Sequence, residues 1–168
     1  ELAGIYDFKL EEIPAQELDD VKVSSTKIRN ALLKGDVKTA SKYLSHDYKV
    51  SGIVVKGRQL GRELGFPTAN ISVLDRYKLI PGDGVYAVNV KANKGNFKGM
   101  LNIGYRPTVG GLYKATMEVN IFEFNENIYG HFIGVEFVKR LRDEIKFDSV
   151  EELKIQLELD KIQALNAY

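Results

Sequence analysis

The chain has 168 residues, with 24 basic and 23 acidic side chains and a formal net charge of +1. This near balance produces no strong positive field, so a nucleic-acid partner is not indicated. The sequence contains no cysteine, which excludes disulfides and thiolate metal sites. Since it shows neither a signal peptide nor an apolar run long enough to cross a bilayer, we expect a cytoplasmic protein with no membrane partner.

Residues 1–45 differ in pattern from the rest of the chain. The run Ser24–Thr26 offers N-cap hydroxyls to a first short helix, which Gly35 ends, and Asp36 can cap a second one. Two short helices without an obvious partner cannot form a domain. We therefore expect residues 1–45 to be the end of a larger module and residues 46–168 to form a separate domain.

The next stretch combines a short strand with a glycine-rich loop. The β-branched run Ile53–Val55 predicts the strand. Three glycines four residues apart follow, with two arginines between them: Gly57, Arg58, Gly61, Arg62 and Gly65. Glycine lets the backbone approach a ligand, and arginine pairs with phosphate in a fork geometry. The loop is neither a Walker loop nor a dinucleotide fingerprint, and a flexible solvated turn is the alternative interpretation.

The loop ends in the stiff segment Phe66–Asn70. Pro67 fixes its own φ and favours an extended conformation for the residue before it. Strand alternation then points the Thr68 hydroxyl and the Asn70 amide the same way. Both are hard oxygen donors of the kind that hold Mg²⁺ beside substrate phosphates and water. The alternative is a turn in which both side chains bond nearby backbone.

The rest of the chain reads as short strands and one final helix. We predict strands over Val85–Val90, Phe97–Ile103, Ala115–Phe124 and Ile133–Val138, with a hairpin connection at Lys94–Asn96. About six short strands with glycine-rich turns and no helix between them indicate a mainly β fold, a closed antiparallel barrel. A capping box at Ser149 begins a helix that runs to about Leu165, with Leu153, Leu157 and Ile162 toward the barrel.

Glu118 stands out among the 23 acidic side chains. It lies in the middle of a predicted strand, where glutamate is disfavoured, between the apolar residues Met117 and Val119. A carboxylate is the candidate for a general base, because His46 lies at the expected joint and His131 follows a turn with no acid nearby. An exposed strand face would explain Glu118 equally well.

Several segments resemble riboflavin kinases, in particular the kinase module of the bacterial bifunctional riboflavin kinase/FAD synthetase. The most specific is GRELGFPTAN, and others follow in the family's order: Asn102–Gly110, Met117–Ile121 with Ile128–Gly130, and Leu141–Phe147. The resemblance implies a six-stranded Greek-key barrel with a C-terminal helix. It also implies transfer of the ATP γ-phosphate to riboflavin, giving FMN and ADP with Mg²⁺.

The segments Val23–Arg29 and Leu33–Val37 are similar to the end of the FMN adenylyltransferase module that precedes such kinases. Residues 1–45 would then be the C-terminal remnant of a nucleotidyltransferase module. The parent protein would carry that module as a partner and would also make FAD.

The resemblance also assigns site residues. Glu118 would be the catalytic base, and Thr68 and Asn70 would hold the metal. The nucleotide would contact Gly57, Arg58, Gly61, Arg62, Gly65, Thr68, Asn70, Asn120 and Tyr129. Riboflavin would contact Gly104, Arg106, Pro107, Thr108, Arg142 and Phe147.

Three positions depart from the family's pattern. Lys56 and Leu60 stand where a histidine and an arginine are frequent, and the third follows the catalytic glutamate. A histidine usually stands two residues after the catalytic glutamate, and this chain has Asn120, whose amide can orient a partner but cannot carry a proton. The rival hypothesis is a non-catalytic barrel that binds flavin or nucleotide on aromatic platforms. Glu118 beside Thr68 and Asn70 in one pocket would favour the enzyme.

Overall fold

A computed structural model describes residues 17–18, 21–57, 60–107 and 113–168. Six antiparallel strands form a closed barrel in the order β3-β4-β7-β6-β5-β8. The barrel strands are β3 Lys49–Val55, β4 Ala69–Val73, β5 Gly84–Ala92, β6 Gly95–Pro107, β7 Tyr113–Ile121 and β8 Phe132–Arg142. Two-residue strands β1 Glu17–Leu18 and β2 Val21–Lys22 pair with each other before the barrel begins. The helices are α1 Ser25–Leu33, α2 Val37–Leu44, α3 Leu60–Glu63 and α4 Val150–Leu165.

The barrel has the predicted Greek-key character. Strands β5, β6 and β7 are neighbours in sequence and in space, whereas the chain skips to a non-adjacent strand between β4 and β5 and between β7 and β8. The predicted strands are confirmed, with longer limits for most of them. The hairpin differs slightly, because Ala92 pairs with Gly95 and the turn is therefore Asn93–Lys94.

Strand alternation fills the barrel interior. Fully buried side chains on four different strands meet there, among them Tyr86, Leu101, Val119 and Phe137. The Tyr86 and Phe137 rings pack edge to face, with centroids 5.2 Å apart and planes at 87°. Each large apolar side chain buried this way contributes about 1.5–3 kcal/mol, so the interior is the main source of stability.

The helices α1 and α2 pack on this barrel. Leu32 and Val37 are 2% and 1% exposed and belong to the same apolar cluster as the barrel interior. The Gly82 amide donates to the Leu32 carbonyl at 2.9 Å. The sequence shows no partner for these helices, and the barrel supplies one. The boundary between residues 1–45 and 46–168 stays a prediction.

The end of α1 fits closely against β5 and β8. Gly35 has φ +74°, and a Cβ there would meet the Arg140 side chain at 2.5 Å and the Tyr86 hydroxyl at 2.6 Å. Burial raises the pKa of Tyr86. Burial lowers the pKa of Arg140, but hydrogen bonds to Asp143 and Tyr86 more than offset this, so it is raised overall.

Helix α4 covers one side of the barrel. Its N-cap at Ser149 is confirmed, since the Glu152 amide donates to Ser149 Oγ at 3.2 Å. The Glu152 carboxylate accepts from the Asp148 amide at 3.3 Å, one residue before the Ser149 amide that a capping box uses. The predicted inner face is partly wrong: Ile162 is 56% exposed, whereas Asp160 and Ala164 are fully buried. None of the helices that the structure describes combines the length and apolar character needed to cross a membrane.

We predict that Gly35→Ala destabilises the protein by about 2–5 kcal/mol. A left-handed backbone costs alanine about 1–2 kcal/mol, and overpacking against Arg140 and Tyr86 adds about 1–3 kcal/mol. Urea unfolding measures the change. Gly130→Ala is the matched control, because Gly130 has φ +77° and a Cβ there would meet nothing within 4 Å. Equal losses in the two variants would contradict the close fit of α1.

Candidate active site

The outer face of β7 carries the predicted catalytic carboxylate. Met117 and Val119 point into the barrel and are buried, so Glu118 points outward. Glu118 pairs in register with Asn70 of β4 on one side and with Asn102 of β6 on the other. The carboxylate therefore lies in a row of polar side chains that crosses three strands.

A cavity of about 310 Å³ lies over Glu118 and Asn102 of this row, and we call it the α4 cavity. Its walls come from the barrel strands, residues 61–68, the segment before α4 and α4 itself. The apolar lining is Leu64, Phe66, Val85, Met100, Leu101, Ile145, Phe147, Leu153 and Leu157, and the remaining lining is Gly61, Thr68, Asn102, Glu118, Asn120, Arg142, Glu144 and Asp160. An apolar cavity with a few convergent polar groups is typical of a site for a small organic ligand.

A second cavity of about 530 Å³ adjoins the first, and we call it the Tyr129 cavity. It is lined by Val54, Arg62, Pro67, Thr68, Ala69, Val119, Ile121, Phe124, Asn125, Glu126, Asn127, Ile128 and Tyr129. Thr68 lines both cavities. A group bound near Thr68 would therefore be reachable from either side.

The glycines of the loop allow close packing around this segment. A Cβ on Gly57 would overlap the Asn70 amide, and one on Gly61 would overlap the Phe66 carbonyl. The Phe66 amide also donates to the Gly61 carbonyl at 2.8 Å. Gly65 has φ +84°, a conformation that favours glycine. These contacts hold the loop against the segment that carries Thr68 and Asn70.

The side-chain oxygens of Thr68 and Asn70 are of the kind that can hold a magnesium ion together with a substrate. Thr68 offers a hydroxyl oxygen and Asn70 an amide oxygen. Within the described ranges, no group of three or more His, Cys, Asp or Glu side chains could hold a metal. Mg²⁺ keeps several waters and often takes few protein ligands beside substrate phosphates, so a site of two neutral oxygens suits it only when phosphate is present.

Asn120 holds the Thr68 segment in place. Its side chain is 7% exposed, and its amide nitrogen donates to the Pro67 carbonyl at 2.7 Å. It lines the α4 cavity rather than the Tyr129 cavity. The structure thus gives Asn120 a local role beside its predicted contact with the nucleotide, which stays a prediction.

Arg142 and Asp160 form a buried ion pair in the wall of the α4 cavity. Arg142 Nε and Nη2 donate to the two carboxylate oxygens of Asp160 at 2.8 and 2.7 Å. The Arg142 guanidinium carbon lies 6.0 Å from the Phe147 ring centroid. The sequence analysis did not single out Asp160. The pattern that could have indicated it is a carboxylate at helical spacing from Leu153 and Leu157, on the face that packs against the barrel.

Two further polar residues were missed, Asn102 and Glu144. The Asn102 amide donates to Glu144 Oε1 at 3.2 Å. A Cβ on Gly104 would overlap the Glu144 carboxylate, so the predicted riboflavin-binding Gly104 makes room for Glu144. Nothing in the sequence pattern distinguishes these two residues from ordinary surface groups.

The structure therefore separates the predicted residues into two sets. Gly61, Asn120, Glu118, Arg142 and Phe147 lie at the α4 cavity, Arg62 and Tyr129 lie at the Tyr129 cavity, and Thr68 lies at both. Gly57 and Asn70 adjoin them through β4. Arg58 and Thr108 fall outside the described residues, as do the side chains of Arg106 and Pro107.

Comparison with known proteins places this chain in a family. The family model described as riboflavin kinase matches residues 44–168. The chain belongs to the riboflavin kinase family. The resemblance drawn from the sequence motifs is confirmed.

Curated relatives in this family are bifunctional. A bifunctional riboflavin kinase/FMN adenylyltransferase from Haemophilus influenzae is 45% identical over 144 residues, which cover 85% of this chain and 46% of the relative. The protein of that description from Bacillus subtilis is 42% identical over 154 residues, covering 89% of this chain and 48% of the relative. This riboflavin kinase family chain thus spans about half the length of the curated relatives it matches.

A solved structure shares the fold closely. A crystal structure described as a macrolide-efflux protein from Streptococcus pneumoniae matches 98% of this chain and 54% of its own, with a TM-score of 0.90 and 41% identity. That likeness covers the α1–α2 helices as well as the barrel.

We predict that Asn120→Ala destabilises this riboflavin kinase family chain by about 1–3 kcal/mol, because it leaves the Pro67 carbonyl without its donor. Urea unfolding measures the loss. Asn89→Ala is the control, since Asn89 lies half-buried in β5 and no side-chain hydrogen bond of Asn89 is found in the described part of the chain. We expect the control to change stability by less than about 0.5 kcal/mol. Similar losses in both variants would remove the anchoring role of Asn120.

Proposed function

We propose that this chain transfers the γ-phosphoryl group of ATP to the 5′-hydroxyl of riboflavin, giving FMN and ADP. The observation that carries the proposal is the meeting of two cavities at Thr68, with the Glu118 carboxylate in the wall of one of them. Phosphoryl transfer needs a place for each substrate and a group that orients the acceptor hydroxyl between them.

The α4 cavity suits the flavin. Its apolar lining, which includes Phe147 and Leu157, can contact a planar ring system, and Arg142 and Asn102 can donate hydrogen bonds to ring acceptors. The ribityl chain would then extend along the outer face of β7 toward Glu118. This orientation is part of the proposal and follows from Glu118 and Thr68 lining the same cavity.

The Tyr129 cavity suits the nucleotide. Exposed Arg62 brings a positive charge to its rim, and Tyr129 offers an aromatic surface. Arginine pairs with phosphate oxygens, and an aromatic ring can contact a purine base. The phosphates would reach toward Thr68, where the two cavities meet.

Thr68 and Asn70 would hold Mg²⁺ together with the ATP phosphates. Bound there, the ion would neutralise the negative charge that the phosphates carry during transfer. The protein's own contribution is to fix these two oxygens: Asn120 holds the Pro67 carbonyl, and Gly57 packs against the Asn70 amide.

Glu118 would act as the base. Its carboxylate would accept the proton of the riboflavin 5′-hydroxyl as that oxygen bonds to the γ-phosphorus. The bond between the γ-phosphorus and the bridging oxygen of the β-phosphate breaks, and ADP leaves with that oxygen. Asn70 and Asn102 flank Glu118 across the strands and would help to fix its orientation.

The rival, a barrel that binds flavin or nucleotide without catalysis, needs no carboxylate in the wall of a cavity that meets a second cavity at Thr68. Glu118 and Thr68 line one cavity and Asn70 is the cross-strand neighbour of Glu118, an arrangement that favours the enzyme. The same arrangement favours the kinase name of the bifunctional relatives over the efflux name of the pneumococcal structure. We further propose that the parent protein carries an FMN adenylyltransferase module.

The deciding experiment is an assay of the purified protein with riboflavin, ATP and Mg²⁺, separated by chromatography. We expect FMN and ADP to appear in equal amounts and only when all three components are present. Binding of riboflavin without FMN formation would support the non-catalytic barrel instead.

We predict that Glu118→Gln lowers kcat by about 10²–10⁴-fold while riboflavin and ATP still bind, because the amide cannot accept the proton. Steady-state kinetics and a thermal melt measure the two effects. Glu136→Gln is the control, since Glu136 is an outward glutamate of β8 paired with Lys49 and lies at neither cavity. If Glu118→Gln keeps kcat within a small factor, or changes only KM, Glu118 is not the base.

We predict that Thr68→Ala and Asn70→Ala each raise the Mg²⁺ concentration needed for half-maximal activity by about tenfold or more, as loss of a metal contact does. A Mg²⁺ titration at fixed ATP measures this. Ser72→Ala, two residues further along the same face of β4, is the control. If the variants lower only the melting temperature, both side chains are structural.

A further inference from the structure

The buried carboxylate of Asp160 has no place in the chemistry proposed above. It is fully buried on α4 and lines the α4 cavity. Both of its oxygens accept hydrogen bonds from Arg142, at 2.8 and 2.7 Å, and Gln156 Nε2 donates to Oδ1 at 2.8 Å. The carboxylate is thus bound from two directions, by a strand arginine and by its own helix.

A gain in folding stability does not by itself explain why an ion pair is buried here. Removing two charges from water costs about as much as their attraction returns, and apolar residues of similar volume often serve as well. The neighbouring wall is already apolar, with Leu153 and Leu157 on the same helix. A charged pair at this place therefore indicates a requirement for orientation.

The ion pair with Asp160 holds the Arg142 guanidinium in one orientation. Asp160 occupies Nε and one N–H of Nη2, and the Asp143 carbonyl accepts from Nη1 at 2.8 Å. A guanidinium carries five N–H groups. Among the described residues, no partner is found for the other two N–H groups of Arg142, one on each terminal nitrogen, and Arg142 lines the cavity.

We infer that Asp160 is a positioning residue for riboflavin binding, which holds Arg142 so that its two remaining N–H groups meet acceptor atoms of the flavin ring. Gln156 in turn holds Asp160. This inference rests on the proposed function, because it takes the α4 cavity as the flavin site. The guanidinium is planar, so the hydrogen bonds to Asp160 along one edge fix the direction of its other edge.

The test is a double-mutant cycle on riboflavin binding, with Asp160→Asn and Arg142→Lys. The asparagine keeps the size of Asp160 but turns an acceptor into a donor that faces Arg142. We expect it to raise the riboflavin Kd, measured by flavin fluorescence, by about tenfold or more, with the ATP KM unchanged. In the Arg142→Lys background, where the fork is already lost, we expect Asp160→Asn to add less than about twofold.

The matched control is Ala164→Gly, which weakens α4 through helix propensity. Ala164 is fully buried on the same helix face and does not line the α4 cavity. We expect it to lower the melting temperature while riboflavin Kd stays unchanged. A thermal melt of every variant separates loss of folding from loss of binding.

The outcomes are distinct. If wild type binds riboflavin and forms FMN but Asp160→Asn binds it equally well, Asp160 only seats the helix and the inference is overturned while the kinase stands. An equal factor in both backgrounds of the cycle also overturns it, since Asp160 would not act through Arg142. If wild type neither binds riboflavin nor forms FMN, the proposed function fails first and this inference with it.

Discussion

The pairing of β7 on both sides is the constraint on which the site depends. Because β6 pairs with the whole of β7 and β4 pairs with it at Glu118 and Val119, the alternation of β7 is fixed at the site, with Met117 and Val119 inside the barrel. A slip of one residue would bring Glu118 into the interior and expose the core side chains. The apolar interior therefore enforces the outward direction of the carboxylate, and the neighbouring strands bring Asn70 and Asn102 beside it.

The rest of the site is fastened to that face by polar contacts. Asn120, on the same face of β7, holds the Pro67 carbonyl and with it the segment that carries Thr68. Helix α4 closes the far side through the ion pair of Arg142 and Asp160. Such contacts contribute modestly to stability, but their loss leaves buried groups without partners. They define where the cavity walls stand rather than whether the barrel folds.

The substitution of Asn120 for the usual histidine fits this arrangement. The Asn120 amide donates to the Pro67 carbonyl. An amide, unlike a histidine ring, makes this hydrogen bond without a change of protonation state. Glu118 is then the ionisable side chain that the outer face of β7 brings to the α4 cavity. Under the proposed function, the chemistry depends on positioning and electrostatic stabilisation, which an amide and one carboxylate can supply.

The sequence by itself determined five of the six barrel strands, the capped helices and the direction of the β7 side chains from Thr116 to Ile121, because periodicity and capping are local properties. The resemblance in GRELGFPTAN and the later segments identified the family. The sequence did not show that α1 and α2 rest on the barrel, that Ile162 faces solvent, or that Asp160 is buried. Those facts depend on contacts between residues far apart in the chain, such as Arg142 with Asp160 and Gly35 with Arg140. Only the tertiary structure brings such residues together. A charged side chain is stable on the buried face of a helix only where a partner on another element pairs with it.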